Sequence, residues 1–152
     1  MAYVKATLRQ NVMDHLKADA VLSALLDGDP NNRLRGSRWF SQVDKATPFV
    51  VVMDGTFRET NRFKVPGERH GVQPLHFDAH DLLPSSQAVE DILNRIAALL
   101  RQGNGGNAAV SDSTTRVHIV KVLDGYQEFY DEAVKLSGKR LTVEFTVRMI
   151  ES

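Results

Sequence analysis

Apolar and polar side chains alternate without a break along Leu141-Thr142-Val143-Glu144-Phe145-Thr146-Val147-Arg148-Met149, the apolar ones on odd positions. Successive residues of an extended chain point to opposite sides, so this spacing predicts a strand with one covered face and one wet face. Nine residues at about 3.4 Å each make a strand of roughly 30 Å. Its polar second face argues against a buried parallel strand, so antiparallel neighbours and a layer of helix are expected. A second alternation runs from Val72 to His80, with Leu75, Phe77 and Ala79 on one face and His76, Asp78 and His80 on the other; Pro74 points to an edge or a strand's beginning. Phe49-Val50-Val51-Val52-Met53, opened by Pro48, is a continuous apolar run of the kind covered on both faces, which places it centrally in the sheet. Val117 to Leu123 reads as a further strand, interrupted by His118 and Lys121.

Helical spacing appears twice. From Ala2 to Leu26, Val4, Leu8, Val12, Leu16, Leu22, Leu25 and Leu26 recur at steps of three and four, predicting an interrupted amphipathic helix. Asp19 suits the N-cap of its second piece, and Gly28 followed by Pro30 ends it. Val89, Ile92, Leu93, Ile96, Leu99 and Leu100 form one apolar stripe on a helix with Pro84 in its first turn, Ser85 or Ser86 as cap and Gly103 as its close. This is the helix expected to lie across the sheet. Gly103 to Asn107 then reads as a flexible connection. Between Gly125 and Gly138 the signals conflict: Phe129, Tyr130, Ala133, Val134 and Leu136 fit helical spacing with Gly138 as a stop, while Tyr126, Phe129 and Tyr130 equally fit an extended edge, the preferred reading. The sum is one α+β domain over residues 1–152, with a mostly antiparallel or mixed sheet packed against one long helix, and an N-terminal helix.

Composition narrows the function. Lys plus Arg and Asp plus Glu both number 19, so no overall field draws the chain to nucleic acid or to an anionic membrane, and a net charge of zero favours association. The absence of cysteine excludes disulfides, thiolate nucleophiles and Cys-type zinc sites. No signal peptide and no long apolar run is visible, so synthesis in the cytoplasm is expected.

No residue pattern dictates a reaction. His76, Asp78 and His80, with Asp81 adjacent, share ligand chemistry, but alternate polar residues are also what the wet face of a strand needs. Ser85, Ser86 and Ser111 lie in no nucleophile motif and suit caps or loops. The glycines from Gly103 to Gly106 lack the Lys and Ser/Thr of a phosphate loop and read as a hinge. Glu90-Asp91 and Asp131-Glu132 are sequence neighbours, which do not face each other on a helix or a strand. Catalytic, cofactor and metal residues are therefore none. The segments that stand out are basic loops: Arg33, Arg35 and Arg38 beside Trp39 and Phe40, and the long polar stretch Thr56 to Gly71 with Arg58, Arg62, Lys64 and Arg69. Arginine beside tryptophan is the composition of interface anchors, so protein–protein contact is preferred over a solvated loop or nucleic acid.

The order of segments carries a resemblance. Leu16-Lys17-Ala18-Asp19-Ala20-Val21-Leu22-Ser23-Ala24-Leu25-Leu26, an Arg-rich turn, Thr47-Pro48-Phe49-Val50-Val51-Val52, a strand ending in Phe77-Asp78, a helix ending in Leu99-Leu100 and the last strand Leu141 to Met149 resemble the tail-terminator (tail-completion) proteins of long-tailed bacteriophages. The likeness covers nearly the whole chain, which departs from a compact member in its Thr56 to Gly71 and Gly125 to Gly138 segments. The resemblance implies a structural, non-enzymatic virion subunit that forms a ring, commonly a hexamer, on the head-proximal end of the tail tube. Such a ring stops tube polymerisation and provides the head-tail joining surface. Its implied partners are copies of itself, the tail tube protein and a head-side connector, with DNA only as cargo and no membrane. Trp39, Phe40, Arg58, Arg62, Lys64 and Arg69 are the interface candidates. The alternatives are a head-tail connector or neck protein of the same virion and, third, a small enzyme.

Overall fold

The computed structural model describes residues 4–36, 48–60, 67–81, 87–123, 125–132 and 136–150. In chain order the elements are α1 Val4–Lys17, α2 Ala20–Leu25, α3 Pro30–Arg33, β1 Leu34–Arg35, β2 Phe49–Asp54, β3 Arg58–Glu59, β4 Glu68–His80, α4 Gln87–Leu100, α5 Gly106–Ala109, β5 Thr115–Val122, β6 Gln127–Asp131 and β7 Leu136–Ile150, with a 3₁₀ turn at Gln102–Asn104. The class is α+β, as the alternation predicts. β7 and β4 pair antiparallel from Glu68 opposite Ile150 to His80 opposite Gly138, and this long ribbon is the middle of a seven-stranded mixed sheet. β2 and β3 pair in succession along the free side of β4, and β5 and β6 do so along the free side of β7. β1 adds a short parallel pair to β2.

The alternation of β7 translates directly into burial: Leu141, Val143, Phe145, Val147 and Met149 all face the core, and the residues between them are half-buried on the other face. Against them lies the stripe of α4, with Val89, Ile92, Leu93, Ile96 and Leu100 buried, flanked by Leu8, Val12 and Leu16 of α1. Fully burying a side chain of this kind contributes about 1.5–3 kcal/mol, so one continuous apolar cluster dominates the stability. Asp19 caps α2 as expected, accepting the Leu22 N–H at 2.8 Å. Pro84, Ser85 and Ser86 lie outside the described residues.

Three expectations need revision, and one open choice is settled in favour of the preferred reading. The apolar run of β2 is not central, because only the two-residue β1 lies beyond it. Its double burial arises from local cover instead: Val50 and Val52 join the core, while Phe49 on the opposite face stacks on the His80 ring at 4.6 Å. Pro74 sits neither at an edge nor at a strand's beginning but in the middle of β4. Its carbonyl accepts the Gly55 N–H at 2.9 Å, so its nitrogen faces the same side, where β2 has ended at Asp54 and β3 has not begun. The missing donor therefore falls in the gap between two strands. Gln73, buried on the core face, spans that gap by donating from Nε2 to the Gly55 and Pro74 carbonyls, both at 2.9 Å. The glycine-rich connection after α4 is a built corner rather than a flexible hinge, since Gly105 at φ 80° links the 3₁₀ turn to α5. Gly138 stops no helix and lies within β7, while Gln127–Asp131 is extended, the preferred reading of that stretch.

Candidate interaction surfaces

The polar stretch from Thr56 to Gly71 begins and ends as strand. Arg58 and Glu59 pair with Val72 and Gly71, and Thr60 donates its N–H to the His70 carbonyl at 2.8 Å, so β3 widens the sheet at this end of β4. A Cβ at Gly71 would stand 2.3 Å from the Arg58 carbonyl oxygen, which makes this close approach possible only for glycine. On the helix-free face Arg58 Nη2 meets Glu144 Oε2 at 2.6 Å, with the arginine side chain still 62 % exposed. On the other face the Arg69 guanidinium lies 4.7 Å from the Phe57 ring centroid and 3.9 Å from Glu59. The structure thus brings Arg58 and Arg69 to one end of the sheet, on opposite faces. Arg62 and Lys64 lie outside the described residues, as do Trp39 and Phe40.

The titratable residues along β4 are occupied in packing. Asp78 and His80 are buried, at 4 % and 2 % exposure, which corrects the expectation of a wet face at this end of the strand. Arg140 explains the first: it donates from Nε and Nη2 to the two Asp78 oxygens at 2.6 and 2.9 Å, across a directly opposed pair of strand positions. This bidentate geometry is the strong form of a charge-assisted bond, and it raises the Arg140 pKa. His80 is held between rings, stacked on Phe49 and edge-on to Phe129 at 5.2 Å. His76 Nδ1 lies 2.9 Å from the Thr142 hydroxyl, and burial, with the Arg140 charge behind it, pushes the imidazole below its ordinary value. Among the described residues no three His, Asp or Glu side chains converge as metal ligands. Ser111 accepts the Val117 N–H at 2.9 Å and donates to the Asn107 carbonyl at 2.6 Å, a corner brace. Glu90 reaches across to Lys139 of β7 at 2.8 Å, while Asp91 accepts from Gln87.

Register shows a feature that the one-dimensional pattern hides. Arg116 of β5 stands directly opposite Arg148 of β7, and Arg148 directly opposite His70 of β4, so three basic side chains cross the helix-free face in one row. They lie at the same end of the sheet as Arg58 and Arg69. The opposite end carries Glu128, 79 % exposed, and the exposed Glu132. Alternation marked Arg148 only as a wet-face residue. Finding the row requires knowing that β5 pairs with β7 and that a bulge at His118, between Val117 and Ile119, sets which residues oppose which.

No protein-family profile matches the chain, and no curated protein matches it. The fold itself has a solved counterpart: a chain from the virion of a native gene transfer agent particle is similar over 97 % of this chain and 99 % of that one, at a TM-score of 0.71 and 16 % sequence identity. Among the described residues no helix is long and apolar enough to cross a membrane.

Proposed function

We propose that the chain is a structural virion protein, a one-domain subunit of a ring, commonly a hexamer, that closes the head-proximal end of a phage-type tail tube and presents the head-tail joining surface. The observation that carries this reading is the full-length likeness to a chain of a gene transfer agent virion, in which an entire fold of this size and connectivity is used as a particle component. The segment order of the sequence supports the same reading independently. A ring of identical subunits needs two different complementary surfaces on each copy. The long β4–β7 ribbon supplies a rigid bar with chemically distinct ends for such contacts. In this reading the cationic end, with Arg58 and Arg69 and the sequence around Arg62 and Lys64, contacts the neighbouring subunit or the tube, together with Trp39 and Phe40. No bond-making chemistry is assigned.

Electron microscopy of the purified protein mixed with tail tubes tests the proposal. The expected result is a ring at one tube end and tubes that no longer lengthen, both lost in Arg58→Glu with Arg62→Glu. Unchanged capping by that double variant removes the assignment to the Thr56 to Gly71 segment. Copurification with the portal side instead of the tube replaces the terminator by a neck protein.

A further inference from the structure

The chain has 19 basic and 19 acidic residues, yet its two ends are not electrically alike. At one end Arg116 and Arg148 oppose each other across adjacent strands, an arrangement that destabilises a sheet through like-charge repulsion. Nothing within the described residues offsets it fully. Arg148 Nη1 is 3.9 Å from Glu68, whose other oxygen lies 3.1 Å from His70, and Arg148 Nε is buried without a hydrogen-bond partner. Asp112 lines the same shallow hollow as the two arginines, but its oxygens are already taken. Oδ1 accepts the Thr114 and Thr115 N–H groups at 2.8 Å and the Thr114 hydroxyl at 2.9 Å, and Oδ2 accepts Asn11 Nδ2 at 2.8 Å. Arg116 has no ion pair among the described residues. Among the described residues the hollow therefore sets two guanidinium groups against one carboxylate, Asp112, whose oxygens are engaged by its own loop and Asn11.

At the far end the imbalance is reversed. Glu128 lies opposite Lys139, nine residues from Arg148 along β7 and so roughly 30 Å away. Lys139 holds Glu90 at 2.8 Å and leaves Glu128 at 3.9 Å, while Glu132 projects beyond it with no ion pair among the described residues. Among the described residues the shortest ion pair made by Glu128 or Glu132, at one end of the bar, is 3.9 Å, and the shortest made by Arg116 or Arg148, at the other, is also 3.9 Å.

We propose that these ends meet: the Arg116–Arg148 pair of one copy receives Glu128 and Glu132 of the next copy, head to tail. This rests on the ring reading above and names the contact that would join its subunits. The occupant is a second copy because one chain presents both halves of the charge match in equal measure. Complementary halves on opposite ends of one body generate a heterologous contact, which closes into a ring when the rotation allows. Planar guanidinium pairs suit carboxylates bidentately, which fixes orientation as well as attraction.

The test uses the full chain and its lack of cysteine. Arg116→Cys with Glu132→Cys, treated at low salt with a bismaleimide about as long as an Arg–Glu pair, is expected to give a ladder of cross-linked multimers on a denaturing gel, and neither single variant a ladder beyond dimer. In sedimentation, Glu128→Arg with Glu132→Arg, changes confined to exposed positions, is expected to weaken self-association by about tenfold or more, the scale of a close interfacial charge pair. Adding Arg116→Glu and Arg148→Glu to the same chain is expected to restore it. Assembly that persists in all variants without cross-linking overturns this contact and leaves the ring reading standing. A wild-type chain that remains monomeric at low salt, with and without tail tubes, overturns both.

Discussion

Asp19 binds Arg95 with both oxygens: Arg95 Nε donates to Oδ2 at 2.9 Å and Nη2 to Oδ1 at 2.7 Å. The same Oδ2 accepts the Leu22 N–H that opens α2, so one carboxylate caps one helix and fastens it to α4. The hydrogen bond from Arg95 lowers the Asp19 pKa from 3.8 to about 2. A folded-state value below the unfolded one stabilises the protein above the unfolded value and ceases to do so as pH falls through the folded value. Stability is therefore expected to drop between pH 3.8 and about 2, with part of that drop missing in Asp19→Asn. At neutral pH Asp19→Ala is expected to cost about 1–2 kcal/mol, or about 3–6 °C in melting temperature, measured by calorimetry.

The Asp78–Arg140 pair behaves differently because one partner is buried. Removing the arginine leaves a carboxylate 6 % exposed with its bidentate donor gone. Arg140→Ala is expected to cost about 3 kcal/mol in urea unfolding, the penalty for stranding a charge. Asp78→Leu with Arg140→Met, which removes both charges, is expected to recover most of that loss. The Arg140 guanidinium also lies 5.8 Å from the Phe129 ring centroid, and equal losses in the single and double variants would show that this packing matters more than the pair.

His76 gives a second and distinct pH window. Its imidazole is half-buried beside Thr142, and that partial burial, with Arg140 opposing protonation and Asp78 favouring it, leaves the balance below the ordinary value of 6.5. The neutral ring is the one the fold accepts, so stability is expected to fall as pH drops below the unfolded value and to level off once the folded ring is protonated. An NMR titration should place His76 below the ordinary histidine value of 6.5. A His76→Gln variant should flatten the stability profile in this range while leaving the Asp19 step in place.

What the sequence discloses here follows from where each signal is written. The period-two pattern of β7 and the stripe of α4 record burial one residue at a time, and both are legible because each faces a single continuous core. Asp19 as a cap is legible for the same reason, since a cap acts within three residues. Pro74 misleads because its tolerance depends on a gap between β2 and β3, two segments whose pairing no local rule reports. The apolar run of β2 misleads because Phe49 is covered by the His80 ring of β4, itself edge-on to Phe129 of β6, rather than by a central place in the sheet. Among the interface candidates, Arg58 and Arg69 were visible as charge in a long polar segment. The Arg116–Arg148–His70 row was not, because it exists only once register and the bulge at His118 are known.

Gly71 is the position where fold and assembly separate most cleanly. The core on the helix side of the sheet runs along β7 from Leu141 to Met149, and the β3–β4 pairing at its rim involves only Arg58 to Thr60. A methyl group at Gly71 would collide with the Arg58 carbonyl at 2.3 Å and the Phe57 ring at 2.7 Å, so β3 must move away from β4. Gly71→Ala is therefore expected to abolish amide-exchange protection at Thr60, whose N–H bonds to His70, while leaving the protection of β7 intact. The global cost should stay near 1 kcal/mol, as few buried contacts are lost. Because this pairing aims Arg58 at Glu144 and Arg69 at Phe57, the same variant is expected to cap tubes poorly although it folds. Normal capping by a protein that has lost Thr60 protection would separate the arrangement of β3 from the function proposed for this end of the sheet.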